Sequence, residues 1–195
     1  MKDIYIMNQG KLIILSAPSG AGKTTVMRRI VETFPQLEFS VSATSRPPRG
    51  TEQNGVEYYF VTERQFLDDV AAGKFIEWEE VYGGTHYGTL RSEVERIWVS
   101  GRVIIFDVDV KGGVKLKSIF GRSALSIFIM PPSVATLRER LTGRGTDSPE
   151  AIERRVAKAE QEMRYAPQFD LTVVNDDLDV AVACIEEAIR RFLEI

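Results

Sequence analysis

Residues 11–16 read Lys-Leu-Ile-Ile-Leu-Ser, and Ala-Pro-Ser-Gly-Ala-Gly-Lys-Thr follows at once over 17–24. A short apolar run rich in branched residues reads as a strand buried on both faces, as in a parallel sheet. From Lys23 to Phe34, apolar residues fall at helical spacing: Val26, Ile30, Val31 and Phe34. Strand, glycine-rich turn and helix in that order form the context of a phosphate-binding loop, with Ala17 where the pattern has its first glycine. Gly20 and Gly22 let the backbone turn its N–H groups onto phosphate oxygens, and the helix N-terminus adds positive potential. Lys23 can reach the β- and γ-phosphates, and the Thr24 hydroxyl can ligand Mg²⁺. A glycine-rich turn with an incidental lysine would leave this ordered context unexplained. The chain therefore reads as a binder of a nucleoside triphosphate through Ala17, Pro18, Ser19, Gly20, Ala21, Gly22, Lys23, Thr24 and Thr25.

At 195 residues the chain has room for one ordinary domain. Buried-strand patterns recur at 103–106, 125–130 and 171–174, and helical patterns at 134–141, 149–163 and 177–193. Strands alternating with helices predict an α/β fold, a doubly wound parallel sheet with its ligand at the carboxyl ends of the strands. The alternation breaks between 39 and 88. There, short mixed strands (39–44, 56–61, 75–81, 85–89) surround one helix at 63–72, which predicts a small α+β insertion. Residues 143–148, Gly-Arg-Gly-Thr-Asp-Ser, have the form of a short mobile lid between two helices. The expected organisation is a single domain over 1–195. Its core is 10–38, 96–136 and 165–195, its nucleotide-acceptor insertion 39–95, and its lid with flanking helices 137–164.

Charge and cysteine usage narrow the function classes. Lys and Arg number 25 against 28 Asp and Glu, a net charge of −3, which argues against a nucleic-acid coat or a polybasic membrane binder. A single cysteine, Cys184, forms no intramolecular disulfide and anchors no zinc site alone, so a reducing, cytoplasmic setting is expected. No apolar run approaches the ~20 residues that span a bilayer. Cys184, near Val180, Ile185 and Ile189, is expected to be a small buried hydrophobe, and His86 to be exposed near an acceptor pocket. Arg138 and Arg154 are expected in helix-surface ion pairs with Glu139, Glu150 or Glu153.

The insertion supplies candidates for a second ligand. Ser-Ala-Thr-Ser-Arg-Pro-Pro-Arg over 42–49 sets Arg46 and Arg49 on a proline-stiffened loop with few carboxylates close in sequence. Two guanidinium forks suit a mononucleotide phosphate, with phenol hydroxyls available at Tyr58 and Tyr87. A solvated surface pair is the competing reading. Glu77, beside Trp78 in an expected strand, reads by pattern alone as an ordinary solvent-facing carboxylate.

Several motifs in order along the chain resemble those of guanylate kinases. They are the phosphate loop, Phe-Ser-Val-Ser-Ala-Thr-Ser-Arg-Pro-Pro-Arg at 39–49, Asn-Gly-Val-Glu-Tyr-Tyr-Phe at 54–60 and Phe-Ile-Glu-Trp at 75–78. Tyr-Gly-Thr at 87–89, Asp-Val-Asp at 107–109, Gly-Arg-Gly-Thr at 143–146 and Val-Asn-Asp-Asp at 174–177 complete the set. The resemblance covers the chain from about Lys11 onward, with Lys111 where many relatives have glutamine. It implies phosphoryl transfer from ATP to GMP, and by extension dGMP, with Mg²⁺ bound alongside ATP at Thr24 and no organic cofactor. It implies that Arg46, Arg49, Tyr58 and Tyr87 bind the GMP phosphate and that Ser42, Glu77 and Thr89 hold guanine. Asp107 and Asp109 would lie beside the acceptor and the metal, and Asn175 near the adenine of ATP. Lys23, Arg46, Arg140, Arg144 and Arg155 would form the catalytic set of positive charges. A ribose-phosphate-type kinase of the same fold, or a catalytically silent guanylate-kinase-like binding module, are the alternatives.

Overall fold

A computed structural model describes residues 10–82, 84–143, 145 and 148–195. The chain is an α/β fold in which the parallel strand pairs are formed by residues distant in sequence, with two compact units: 36–105 together with Gly10, and 11–35 together with 106–195.

The second unit holds the phosphate loop. Strand β1 (Leu12–Ser16) pairs in parallel with β8 (Ala124–Met130), and β8 pairs in parallel with β9 (Leu171–Val174). Every residue of β1 is buried, which is why the run carries no polar alternation. Helix α1 (Lys23–Thr33) buries Val26 and Ile30, and α4 (Val110–Phe120) buries Val110, Leu116 and Phe120. Helices α5 (Val134–Gly143) and α6 (Pro149–Met163) make their own small core from Leu137, Leu141, Ile152, Val156 and Ala159. Helix α7 (Leu178–Leu193) buries Ala181, Val182, Ile185 and Ile189. That stripe turns Cys184 outward. The cysteine is exposed, a correction to its expected burial, because it lies off the face that recurs every three to four residues.

The first unit contains the start of β7 (Val103–Asp107), to which β2 (Leu37–Phe39) is paired in parallel. A four-stranded sheet runs in the order β4 (Tyr59–Phe60), β3 (Ala43–Thr44), β6 (Thr85–Leu90), β5 (Phe75–Tyr82). Helices α2 (Glu63–Ala71) and α3 (Arg91–Val99) complete it. Phe66 of α2 stacks on Phe75 at 4.5 Å and, with Ala43, forms the core of this sheet. The expected strand over 39–44 is two strands in two different sheets, since Ser40 N–H still bonds Ile105 while Ala43 pairs with Gly88. Of the expected strand over 56–61 only Tyr59–Phe60 form one, because Gly55, Val56 and Glu57 make a turn with the Gly55 N–H on the Tyr58 carbonyl and Gly55 at φ +81°. Helices α3 and α4 are absent from the sequence reading. In α4 the obstacle is a Gly-Gly pair, yet Gly113 is required where a Cβ would lie 2.3 Å from Ser16 Oγ. No helix among the described residues is long and apolar enough to cross a membrane.

Candidate active site

In the second unit, the chain leaves β1 at Ser16 and passes through buried Ala17 and Ala21 into α1. Gly20 and Gly22 take φ of +95° and +94°, which side chains with a Cβ rarely adopt. Sterics reinforce the choice: a Cβ on Gly22 would lie 2.4 Å from Asn175 Nδ2, and one on Gly20 2.9 Å from a Leu137 methyl. Gly22 is the N-cap of α1, and neither a side-chain cap nor an acidic residue occupies its first turn. Its leading N–H groups thus keep their positive end for an anion. Thr24 and Thr25 are exposed in that first turn.

The Lys23 ammonium donates to the Val108 carbonyl at 2.8 Å and pairs with the Asp107 carboxylate. Its side chain is one-fifth exposed, so the lysine is anchored at the end of β7 and is not a freely solvated loop residue. Asp109 caps α4, accepting from Gly112 N–H at 2.7 Å, and its carbonyl accepts from Ser16 Oγ at 3.2 Å. Asn175, nearly buried, donates from Nδ2 to the Ala21 carbonyl at 2.7 Å. Its own carbonyl accepts from Arg140 Nη2 at 2.9 Å. A cavity of about 430 Å³ opens here, bordered by Gly20, Gly22, Thr25, Arg140, Asn175 and Leu178. Arg155 is half-buried on α6, and Arg138 pairs with Glu153 as expected. Arg144, Thr146 and Asp147 of the expected lid, and Gly83, lie outside the described residues.

In the first unit, the acceptor candidates assemble around Arg46, which is 8% exposed. Its guanidinium makes a bidentate pair with Glu52, at 2.6 Å and 2.8 Å, and donates from Nε to the Tyr87 hydroxyl at 3.1 Å. The Tyr58 ring lies 5.0 Å from its Cζ, and Tyr58 meets Tyr87 edge-on at 5.7 Å. Arg46, Tyr58 and Tyr87 are therefore together. Arg49 contributes its backbone N–H, which donates to Glu52 Oε2 at 2.8 Å, while its side chain is exposed. Glu52 corrects the expectation that few carboxylates stand near this loop. The turn in which Glu52 N–H meets the Arg49 carbonyl folds the acid back onto Arg46. The Arg46 hydrogen bonds pull the Glu52 carboxyl down to about 2, and the same pair raises Arg46 further.

Glu77 is 5% exposed and Thr89 fully buried, and the two are paired residues of β5 and β6. The Thr89 hydroxyl donates to Glu77 Oε1 at 2.7 Å. The solvent-facing reading of Glu77 thus gives way to a buried one. Ala43 pairs with Gly88, so the register continued by one residue sets the buried Ser42 across from Thr89. His86 is 6% exposed, another correction: it stacks on Phe66 at 5.3 Å, with Nδ1 3.4 Å from Ser45 Oγ. Alternation along β6 sends His86 to the apolar face and leaves Tyr87 on the other.

Sequence reasoning missed two acids here. Glu52 was findable as a carboxylate six residues after Arg46, within reach of a turn. Glu93 on α3 shows locally only an i,i+3 pairing with Arg96, because its other two partners, Val41 and Tyr59, come from separate segments.

A glycine-rich loop between a buried strand and an uncapped helix, with a lysine in its first turn, defines a P-loop nucleotide-binding protein of the α/β class. The guanylate kinase family model matches residues 9–192. A curated guanylate kinase from Bacteroides thetaiotaomicron is 54% identical over 184 residues, covering 94% of this chain and 90% of that protein. One from Porphyromonas gingivalis is also 54% identical, over 94% of this chain and 98% of its own length. The crystal structure of guanylate kinase from Anaplasma phagocytophilum superposes with a TM-score of 0.76 at 31% identity, covering 93% of this chain and 85% of that one. The chain belongs to the guanylate kinase family.

Proposed function

We propose that this chain transfers the γ-phosphoryl group of ATP to the phosphate of GMP, and of dGMP, giving ADP and GDP or dGDP. The observation that carries the reading is the buried Glu77 carboxylate, fixed by Thr89 at 2.7 Å on the strand pair that also carries Tyr87. Guanine offers N1–H and its N2 amino group side by side, and one carboxylate accepts from both. Adenine offers an acceptor at N1, which would face the carboxylate lone pair against lone pair. Polar pairing of this kind discriminates by ~10⁴ or more, because the wrong base leaves buried groups unpaired. Ser42 and Thr89 complete the base-reading set, and Arg46, Arg49, Tyr58 and Tyr87 the phosphate-reading set, within an acceptor insertion over 39–95.

ATP would bind along residues 17–25 with Asn175 near the adenine. An oxygen of the GMP phosphate attacks the γ-phosphorus as the bond to the bridging oxygen breaks, and ADP leaves with that electron pair. Such a transfer needs in-line positioning and positive charge on the equatorial oxygens, and no protein nucleophile. Lys23 and the arginines of a lid and its flanking helices over 137–164 (Arg140, Arg144 and Arg155) supply that charge, with Asp107 and Asp109 alongside. Among the described residues no trio of His, Cys, Asp and Glu is grouped to hold a metal. The exposed Thr24 hydroxyl in the first turn of α1 is a hard oxygen donor, which fits Mg²⁺ held there together with ATP oxygens. When bound, Mg²⁺ neutralises phosphate charge. The single cysteine suits a cytoplasmic setting.

A coupled ADP-release assay with ATP and each of GMP, dGMP, AMP, CMP and UMP tests the reading. ADP release with GMP and dGMP, at least ~10²-fold above the other three, is expected. Release with every acceptor alike, or with none, overturns it.

A further inference from the structure

Glu93 is 3% exposed on α3 and belongs to neither the base-reading nor the phosphate-reading set. A carboxylate is costly to bury unless it is paired and hydrogen-bonded. Arg96 supplies the pairing, with Nη2 on Oε1 at 2.7 Å and Nε on Oε2 at 3.2 Å. A helical pair three residues apart needs nothing more, yet two further donors reach the same carboxylate. Val41 N–H donates to Oε1 at 3.4 Å, and the Tyr59 hydroxyl donates to Oε2 at 3.2 Å.

The positions of those donors matter. Val41 immediately precedes Ser42, and Tyr59 immediately follows Tyr58. Tyr59 N–H also donates to the Ser42 carbonyl at 2.9 Å. The chain thus closes a small ring: Glu93 carboxylate, Val41, Ser42, Tyr59 and back to the carboxylate. Apart from this ring, the two segments are joined by a short β3–β4 ladder, Ala43 with Tyr59 and Thr44 with Phe60, and by Val61 N–H on the Thr44 carbonyl at 3.0 Å. Arg96 is itself held by Glu38 of β2, which also pairs with Arg102 at 3.0 Å. The acid is anchored from behind.

We propose that Glu93 is a positioning residue of the acceptor site: it sets the spacing between Ser42 and Tyr58, the base-reading and phosphate-reading ends, without touching the nucleotide. The inference rests on the acceptor reading given above. Loosening this spacing weakens the binding of an acceptor that must reach both ends at once and leaves donor binding alone.

The test uses steady-state kinetics on the full chain. Glu93→Gln keeps the size of the side chain but presents an N–H where Tyr59 and Arg96 need an acceptor. Tyr59→Phe removes one arm of the ring and leaves the Glu93–Arg96 pair intact, so it serves even if Glu93→Gln fails to fold. Each single variant is expected to raise KM for GMP by about 5- to 20-fold, the worth of one or two hydrogen bonds, with KM for ATP within about twofold. The double variant is expected to lose no more than Glu93→Gln alone, because both act through one ring. Arg46→Ala run in parallel separates the two levels of the argument. If Arg46→Ala weakens GMP binding but both single variants leave it unchanged, the positioning role is wrong and the acceptor reading survives. A rise in KM for ATP in step with that for GMP, or full additivity in the double variant, also overturns the role. If Arg46→Ala leaves GMP binding intact, both readings fall.

Discussion

The Arg46 guanidinium holds Glu52 through two parallel hydrogen bonds, Nη1 to Oε2 at 2.6 Å and Nη2 to Oε1 at 2.8 Å. Fork-to-fork geometry is the strongest form of a carboxylate pair. It keeps Arg46 buried and aimed without leaving its charge uncompensated, and a third bond, from Arg49 N–H to the same acid, gathers both arginines onto one turn.

That pair gives an acid-stability signature. The Glu52 carboxyl lies at about 2 in the folded chain, below its ordinary value of 4.5. The unfolded chain therefore binds more protons between these values, and stability rises with pH across the window. The contribution is fully present above pH 4.5 and is lost as pH falls toward 2. Urea unfolding at several pH values from 2.5 to 6 is expected to show a steeper acid limb for the wild type than for Glu52→Gln. Parallel limbs would remove the pair from the account.

Lys23→Ala is expected to lower kcat by about 10²–10³-fold, the usual cost of one positioned charge at a transferring phosphoryl group. Because Lys23 pairs with the half-buried Asp107, the variant is also expected to lose about 1–2 kcal/mol of stability. Circular dichroism with single-turnover kinetics separates the two effects. A folded variant with near-normal turnover would count against the phosphate-loop assignment.

Glu77→Gln is the sharpest probe of base reading. The Gln carbonyl can keep the Thr89 bond, which turns the amide N–H₂ toward the base, where a donor then faces the donors of guanine. A loss of about 2–4 kcal/mol, or roughly 30- to 1,000-fold in kcat/KM for GMP, is expected, with KM for ATP little changed. AMP should gain relative to GMP, since its N1 can accept from the new amide. Arg46→Ala makes the contrast and should weaken every monophosphate alike. Equal loss of GMP and AMP activity in Glu77→Gln would mean that the carboxylate does not read the base.

Gly22→Ala is expected to be among the most damaging alanine substitutions in the second unit. It combines a φ of +94° with a Cβ 2.4 Å from Asn175 Nδ2, whereas Gly101→Ala meets the φ penalty alone, in open space. The left-handed backbone costs about 1–2 kcal/mol in both cases. Gly22→Ala should exceed that and raise KM for ATP, because Asn175 would have to release the Ala21 carbonyl. Matched denaturation curves for the two variants would contradict the steric argument.

Local pattern determined the phosphate-loop part of this protein. Short branched apolar runs such as 12–15, ended by a glycine-rich turn, read as two-sided strands, the left-handed turns at Gly20 and Gly22 favour glycine, and helical spacing places Lys23 at a helix start. These are properties of neighbours in sequence, so a sequence displays them. The order of motifs likewise carried the family resemblance and with it the residues proposed for the acceptor. What tertiary structure decided is which polar groups lose water and to whom they bond. Glu77 looks solvent-facing in its strand until Thr89, twelve residues away, buries with it. His86 turns inward because Phe66 of a helix offers it a ring, and Cys184 turns outward because the apolar stripe of α7 runs past it. Beyond its i,i+3 pair with Arg96, Glu93 is legible only once Val41 and Tyr59 converge on it. Burial and hydrogen bonding of a polar side chain depend on partners brought by separate segments, and no single stretch of chain contains that information.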